Sequence, residues 1–414
     1  MEYDKRLDLI HEVQLSSWVK KVHQMRESGQ LETADGNIPF IHGGYNLGLK
    51  LIFRDKTTWL VRFAQAGTVC DTLADEKVAM EVETMSRIYE ETDVPVPRIH
   101  GWGLAIHNPL GLGPFIIMDF IKGISLESFL KGKTDKRLMR NDISDSDIEY
   151  IYSQGFASTA EYFLYVFGQD WEQLVHQSNS VAGEYDARAK LSSFNALRAL
   201  IPEFVWKDYD KGLFKLLCDD FGLANLIIKG KDDLTIVGVV DLKWSYAGPA
   251  QLFGSAPWWL LQSRLTLYDA EIKKEATQSA AILTRYLRYL EIFKRVLKEE
   301  EEQLPGPQTK ELSSLVEWSQ ASGAMWLHML LQTGFNYISS IPFAQLRKHI
   351  GTEKWEKVQN GFLGTEAIKA LVTKKKAQLD QYDEALEQIR DLQYRVDNGD
   401  KLEEEFVKAV TPLC

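Results

Sequence analysis

At 414 residues, with 45% hydrophobic and 26% charged residues, the chain is long for one core and ordinary for a globular protein, so two or three compact regions are expected. A formal net charge of −11 argues against nonspecific nucleic-acid binding and against an anionic membrane surface, while leaving room for a local cationic site. Cys70, Cys218 and Cys414 are far apart and form no CxxC, which argues against a disulfide framework or a structural zinc site and fits a reducing compartment. No apolar run is long enough to span a bilayer, and the opening MEYDKRLDLIHEV has no signal-peptide core, so the expectation is a cytoplasmic protein.

Residues 4–28 read as a helix, and Gly29 to Asn37 as a polar linker. Strand-like runs follow at Ile38–His42, Leu47–Phe53 and Thr57–Phe63, with Gly43 and Gly44 in the turn after the first. In the third run Trp59, Val61 and Phe63 alternate with Leu60 and Arg62, so the cation faces away from the apolar side. Asp75–Glu90 reads as a helix with an apolar stripe of Val78, Val82, Met85 and Ile88. After Pro95 and Pro97 come two more strands, His100–Trp102 and Phe115–Phe120. Beyond Gly123 helical patterns dominate, at Ser125–Leu130, Asp147–Val166, Glu275–Gln303, Lys310–Gln332 and Glu366–Val396. The expected class is α+β. Its parts are an N-terminal helix and linker (1–37), a small β-rich lobe with one inserted helix (38–120), and a hinge with a larger helical lobe (121–414).

One stretch inside that last part, 216–259, is not helical. Leu226–Ile228 and Ile236–Val240 read as a hairpin, with Lys229 to Asp233 as its turn. Asp220 and Asn225 precede the first strand and Asp241 ends the second, so three oxygen-bearing side chains converge at one end. Hard oxygen ligands so placed suit Mg²⁺ with phosphate groups, and the same residue types also cap ordinary turns. In order along the chain stand a glycine turn (Gly43, Gly44), a strand cation (Arg62), a helix acid (Glu81 or Glu83) and this cluster. Phosphoryl transfer needs such parts: backbone amides near phosphate, a cation held by a carboxylate, metal ligands, and an acid to orient the attacking hydroxyl.

With these features the sequence resembles the aminoglycoside phosphotransferase family, most of all its long fungal members, from about residue 40 to 365. The register Cys218-Asp219-Asp220-Phe221-Gly222-Leu223-Ala224-Asn225 stands where the family has His-x-Asp-x-x-x-x-Asn, and Gly238-Val239-Val240-Asp241 where it has its metal-binding segment. The Gly43-Gly44-Tyr45-Asn46 turn, the Trp59–Phe63 strand and Pro257-Trp258-Trp259 also resemble fungal members. The resemblance implies a two-lobed protein-kinase-like fold using ATP and Mg²⁺ to phosphorylate a hydroxyl of a small molecule such as a secondary metabolite. It implies Asp220 as the catalytic Asp that orients or deprotonates the acceptor hydroxyl, Asn225 and Asp241 as Mg²⁺ ligands, and Gly43, Gly44, Arg62 and Glu81 around the phosphates. Met118 and Phe120 would flank adenine at the hinge. The chain departs from the pattern at Cys218, where the family has His, and at Leu242 and Lys243, where it has Trp and an acid. Those departures keep two other functions open: different chemistry on the same fold, such as a cyclisation, dehydration or condensation, and a non-catalytic binding role.

Overall fold

The computed structural model describes residues 40–42, 45–53, 55–64, 71–108, 111–131, 155–261, 273–304, 310–398 and 403–410. The helix expected over 4–28 and the glycine turn at Gly43 and Gly44 lie outside them. The fold is α+β: an antiparallel sheet with one inserted helix comes first, and a larger, mostly helical part follows. The chain divides into two compact units, one of residues 1–148 with 216–247, the other of 149–215 with 248–414.

The first unit is built on five strands, β1 (Phe40–His42), β2 (Asn46–Ile52), β3 (Thr58–Ala64), β4 (Ile99–Gly103) and β5 (Phe115–Asp119), in the order β1-β2-β3-β5-β4. Every neighbouring pair is antiparallel. Alternation in β3 buries Trp59, Val61 and Phe63 in one cluster with Leu47, Leu49, Leu51, Phe53, Phe115 and Ile117. Each such side chain contributes about 1.5–3 kcal/mol by leaving water, so this face fixes the register. The opposite face carries Leu60 and Arg62. Between β3 and β4 runs α1 (Ala74–Glu91), which buries Val78, Val82 and Met85 together with Glu81 and Thr84.

A second, three-stranded sheet completes this unit. β6 (Ile124–Ser125) is followed by α2 (Leu126–Lys131), and after the excursion into the other unit the chain returns through β7 (Phe214–Cys218). β8 (Leu226–Ile228) then pairs with both β6 and β9 (Ile236–Val239), and β10 (Ser245–Pro249) leads out again. The sequence placed this hairpin in the helical lobe; in the structure residues 216–247 fall in the same compact unit as the N-terminal sheet. The reasons are visible in the bonds: Ser125 pairs with Ile227, and the Val239 amide donates to the Pro95 carbonyl at 2.9 Å.

The second unit holds α3 (Thr159–His176), α4 (Glu184–Leu200), α5 (Lys207–Asp210), α6 (Lys273–Gln303), α7 (Glu311–Ser322), α8 (Ala324–Thr333), α9 (Ile341–Ile350), α10 (Thr352–Leu363), α11 (Glu366–Asp397) and α12 (Glu403–Val410). The helix expected over Asp147–Val166 starts at Thr159, with 147–154 outside the described residues. Ser158 caps it by accepting from the Glu161 amide at 3.1 Å, and Glu161 reaches back to the Ala157 amide at 2.8 Å. The helix expected over Lys310–Gln332 is two helices, because Gly323 takes φ +76° between α7 and α8. A Cβ at Gly323 would stand 2.5 Å from the His349 ring, so the break is fixed by packing as well as by backbone. No helix among the described residues is long and apolar enough to cross a membrane.

Candidate functional site

The polar face of β3 and the inserted helix meet at one ion pair. Arg62 hydrogen-bonds through Nη2 to Glu81 Oε2, and the two side chains are only 11% and 2% exposed. Glu83, the other candidate on α1, points outward and pairs with Arg87 at 2.8 Å. The third member comes from the end of the hairpin: Asp241 Oδ1 lies 3.6 Å from Arg62 Nη1. Burial alone would lower the Arg62 pKa, but Glu81 and Asp241 outweigh it and hold the guanidinium charged.

Asp241 sits in the left-handed region at φ +61°, one of three described non-glycine residues with positive φ. That conformation strains most side chains and is best tolerated by Asp and Asn among non-glycine residues. The backbone then turns, with the Ser245 amide donating to the Leu242 carbonyl at 3.1 Å. This turn buries Leu242 and brings Lys243 back onto Asp241, Nζ to Oδ2 at 2.8 Å. Lys243 is 7% exposed and also lies over the Tyr45 ring, 4.5 Å from its centroid. So the lysine that departs from the family pattern is folded inward, onto the carboxylate implied as a metal ligand.

One participant escaped the sequence reading. Lys77 stands one helical turn before Glu81 on α1, and its Nζ lies 3.2 Å above the centre of the Trp244 ring. Trp244 in turn meets Tyr45 edge to face at 6.3 Å. Lys77 Nζ is buried and, among the described residues, has no hydrogen-bond partner; the same holds for Glu81 Oε1 and Asp241 Oδ1. Burial first, then the neighbouring Lys243, pulls the Lys77 pKa down to about 8, against the opposing pull of Glu81 and Asp241.

The remaining expected residues lie on the loop before the hairpin. Asn225 Nδ2 donates to the Asp220 carbonyl at 2.8 Å, and the Val240 amide donates to the Asn225 carbonyl at 3.0 Å. These bonds set Asn225 beside the end of β9 and leave its Oδ1 out of both. Asp219, next to Asp220, accepts from the Tyr246 hydroxyl at 3.1 Å. Burial raises the Cys218 thiol pKa, which suits a packed residue and not a nucleophile. At the far end of β5, Met118 is paired on both sides, with Leu60 and Ile99. The Phe120 amide donates to the Thr58 carbonyl at 3.0 Å and the Asp119 amide to Arg98 at 3.0 Å. Those two donors are spent inside the sheet, so adenine at this edge would have to use other backbone groups.

Among the described residues no three or more His, Cys, Asp or Glu side chains form a metal-holding group. A Mg²⁺ site completed by phosphates needs fewer protein ligands. Asp241 Oδ1 is a buried carboxylate oxygen with no hydrogen-bond donor among the described residues, and the amide of the preceding residue, Val240, donates to the Asn225 carbonyl. Asp241 Oδ1 and Asn225 Oδ1 are hard oxygens of the kind that fits Mg²⁺.

No protein-family model matches the chain, and no curated protein matches it. Among solved structures it is similar to the apoenzyme of macrolide 2′-phosphotransferase MphH from Brachybacterium faecium, at 13% identity and a TM-score of 0.34, over 80% of this chain and 98% of that one. A macrolide 2′-phosphotransferase type I gives 10% identity and a TM-score of 0.27, over 84% and 97%. The Rio2 kinase–ADP/Mg²⁺–phosphoaspartate complex from Chaetomium thermophilum gives 10% and 0.26, over 82% and 75%.

Proposed function

We propose that the chain is an ATP-binding phosphotransferase that transfers a phosphoryl group to a hydroxyl of a small molecule. The observation that supports this most is the buried Arg62–Glu81 pair with Asp241 at 3.6 Å. A guanidinium fixed between two carboxylates is costly to bury and contributes little to stability that an apolar pair would not. It is well suited to hold phosphate oxygens in a fixed orientation.

In this reading Glu81 positions Arg62, and Arg62 binds the phosphates. Asn225 and Asp241 Oδ1 would hold Mg²⁺, which supplies charge neutralisation of the polyphosphate when bound. Asp220, whose carbonyl anchors Asn225, would orient the acceptor hydroxyl and take its proton. The acceptor itself is a small molecule, with no role for nucleic acid or membrane.

Titrating the full chain with ATP while following its melting temperature tests the first half, since a ligand of the folded state raises Tm. Absence of any shift at millimolar ATP would count against nucleotide binding. Asp220→Asn tests the second half. It is expected to keep the ATP-induced shift and to lower ADP formation with an acceptor by about 10²-fold or more. Full turnover in Asp220→Asn would remove that residue from the chemistry.

A further inference from the structure

Among the described residues, three cations and two carboxylates make up the cluster where β3, the inserted helix and the hairpin end meet: Arg62, Lys77 and Lys243 against Glu81 and Asp241. The excess charge is positive before any metal ion arrives. Lys77 is the sharper half of that excess. Its ammonium is buried, lies over the Trp244 ring, and donates to no acceptor among the described residues. A charged donor without an acceptor is costly, and an aromatic face replaces only part of its hydration. Lys243 is the other half: it already occupies Asp241 Oδ2 at 2.8 Å. The tight turn through Leu242 and Ser245 and the Tyr45 ring hold it there. Tyr45 and Trp244 are both about one-third exposed, so the ammonium groups stand behind rings that reach solvent.

We propose that this chain holds the polyphosphate of its nucleotide on its own cations, Arg62, Lys77 and Lys243, so that binding does not require a divalent metal ion. The proposal rests on the nucleotide reading given above. Lys243 does for the bound anion what a metal ion does in a site of bare carboxylates: it neutralises Asp241, which would otherwise repel phosphate. Lys77 supplies the donors that have no protein acceptor. Asp241 Oδ1 would still hold Mg²⁺ for the transfer step, while binding would not need the ion.

Calorimetric titration of the full chain with ATP and with inorganic pyrophosphate, each in EDTA and in excess Mg²⁺, tests this. The wild-type Kd for ATP should agree between the two conditions to within about threefold. Lys243→Gln should weaken binding in EDTA by about tenfold or more, and Mg²⁺ should restore it because Asp241 is released. Lys77→Gln should weaken binding about equally in both conditions, and Lys243→Arg should keep binding in EDTA. The melting temperature of each unliganded variant shows whether it folds, and Lys243→Arg carries the test if Lys243→Gln does not. ATP bound only with Mg²⁺ overturns the proposal and leaves the nucleotide reading standing. So does unchanged binding of Lys243→Gln in EDTA. ATP bound in neither condition overturns both, and pyrophosphate bound in EDTA without ATP binding removes the nucleotide while keeping the anion site.

Discussion

Two buried polar constellations among the described residues are of similar size and opposite character. In the helical unit His328 is 0% exposed, and both ring nitrogens have partners: Gln251 Nε2 at 3.0 Å and Ser255 Oγ at 3.0 Å. The orientation of Gln251 is fixed, because its Oε1 accepts from the Trp206 amide and its Nε2 donates to the Phe204 carbonyl. His328 Nε2 must therefore accept and Nδ1 must carry the hydrogen. Nothing in that network is left over. In the sheet unit, Lys77 Nζ, Glu81 Oε1 and Asp241 Oδ1 are all buried without a hydrogen bond among the described residues. A satisfied network holds a core together; an unsatisfied one is energetically defensible only if something else completes it. The histidine, the residue type most often invoked in catalysis, belongs to the first kind.

Breaking the sheet-unit cluster should have the largest effect. Glu81→Ala strands a buried guanidinium and should cost about 3–5 kcal/mol in denaturant unfolding, whereas the double change Arg62→Met with Glu81→Leu should restore much of that while abolishing ATP binding. A double variant that still binds ATP would separate the cluster from the ligand. The His328 network should respond to acid instead. Burial pulls the folded-state pKa to about 3, below the unfolded value of 6.5, so the unfolded chain binds the extra proton between these limits. Stability is then complete above pH 6.5 and is lost as pH falls, by about 1.4 kcal/mol per pH unit. His328→Gln should flatten that slope relative to wild type, and an unchanged slope would mean that the ring is not held neutral. Asp170 carries the opposite sign. Burial raises it to about 6, so its contribution is present below about 3.8 and declines as pH rises through 6. Asp170→Asn should remove that decline. Smallest of all, Glu83→Ala breaks an exposed pair on the same helix as Glu81 and should shift stability by less than about 0.5 kcal/mol with ATP binding intact.

Much of the sheet unit was readable because its signals are periodic. The alternation of Trp59, Val61 and Phe63 placed Arg62 on the other face, and the stripe of Val78, Val82 and Met85 carries Glu81 beside it while Glu83 falls on the wet side with Arg87. The same stripe held the missed residue, since Lys77 lies four positions before Glu81 and so on the same face. What the sequence did not signal was Trp244 and Tyr45 as its neighbours, which depends on the turn after Asp241. The pairing of Lys243 with Asp241 depends on a turn that no local pattern encodes. In the helical unit α4 was missed because its buried face includes Ser192 and Ser193 among Ala187, Leu191 and Phe194, too polar to read as a core stripe. α9 and α10, separated by Gly351 at φ +90°, are each too short to show a clear period.

The discontinuity of the sheet unit sets an order of events during synthesis. β1 to β5 and α1 are complete once Asp119 has been made, and the Arg62–Glu81 pair can form at that point. Asp241 and Lys243 follow only after the first helices of the other unit, some 120 residues later, roughly 6–25 s at 5–20 residues per second. Through that interval the nascent sheet carries Arg62 and Lys77 against a single carboxylate, on a chain whose final charge is strongly negative. The second carboxylate arrives only when the hairpin docks and sets Asp241 Oδ1 3.6 Å from Arg62 Nη1.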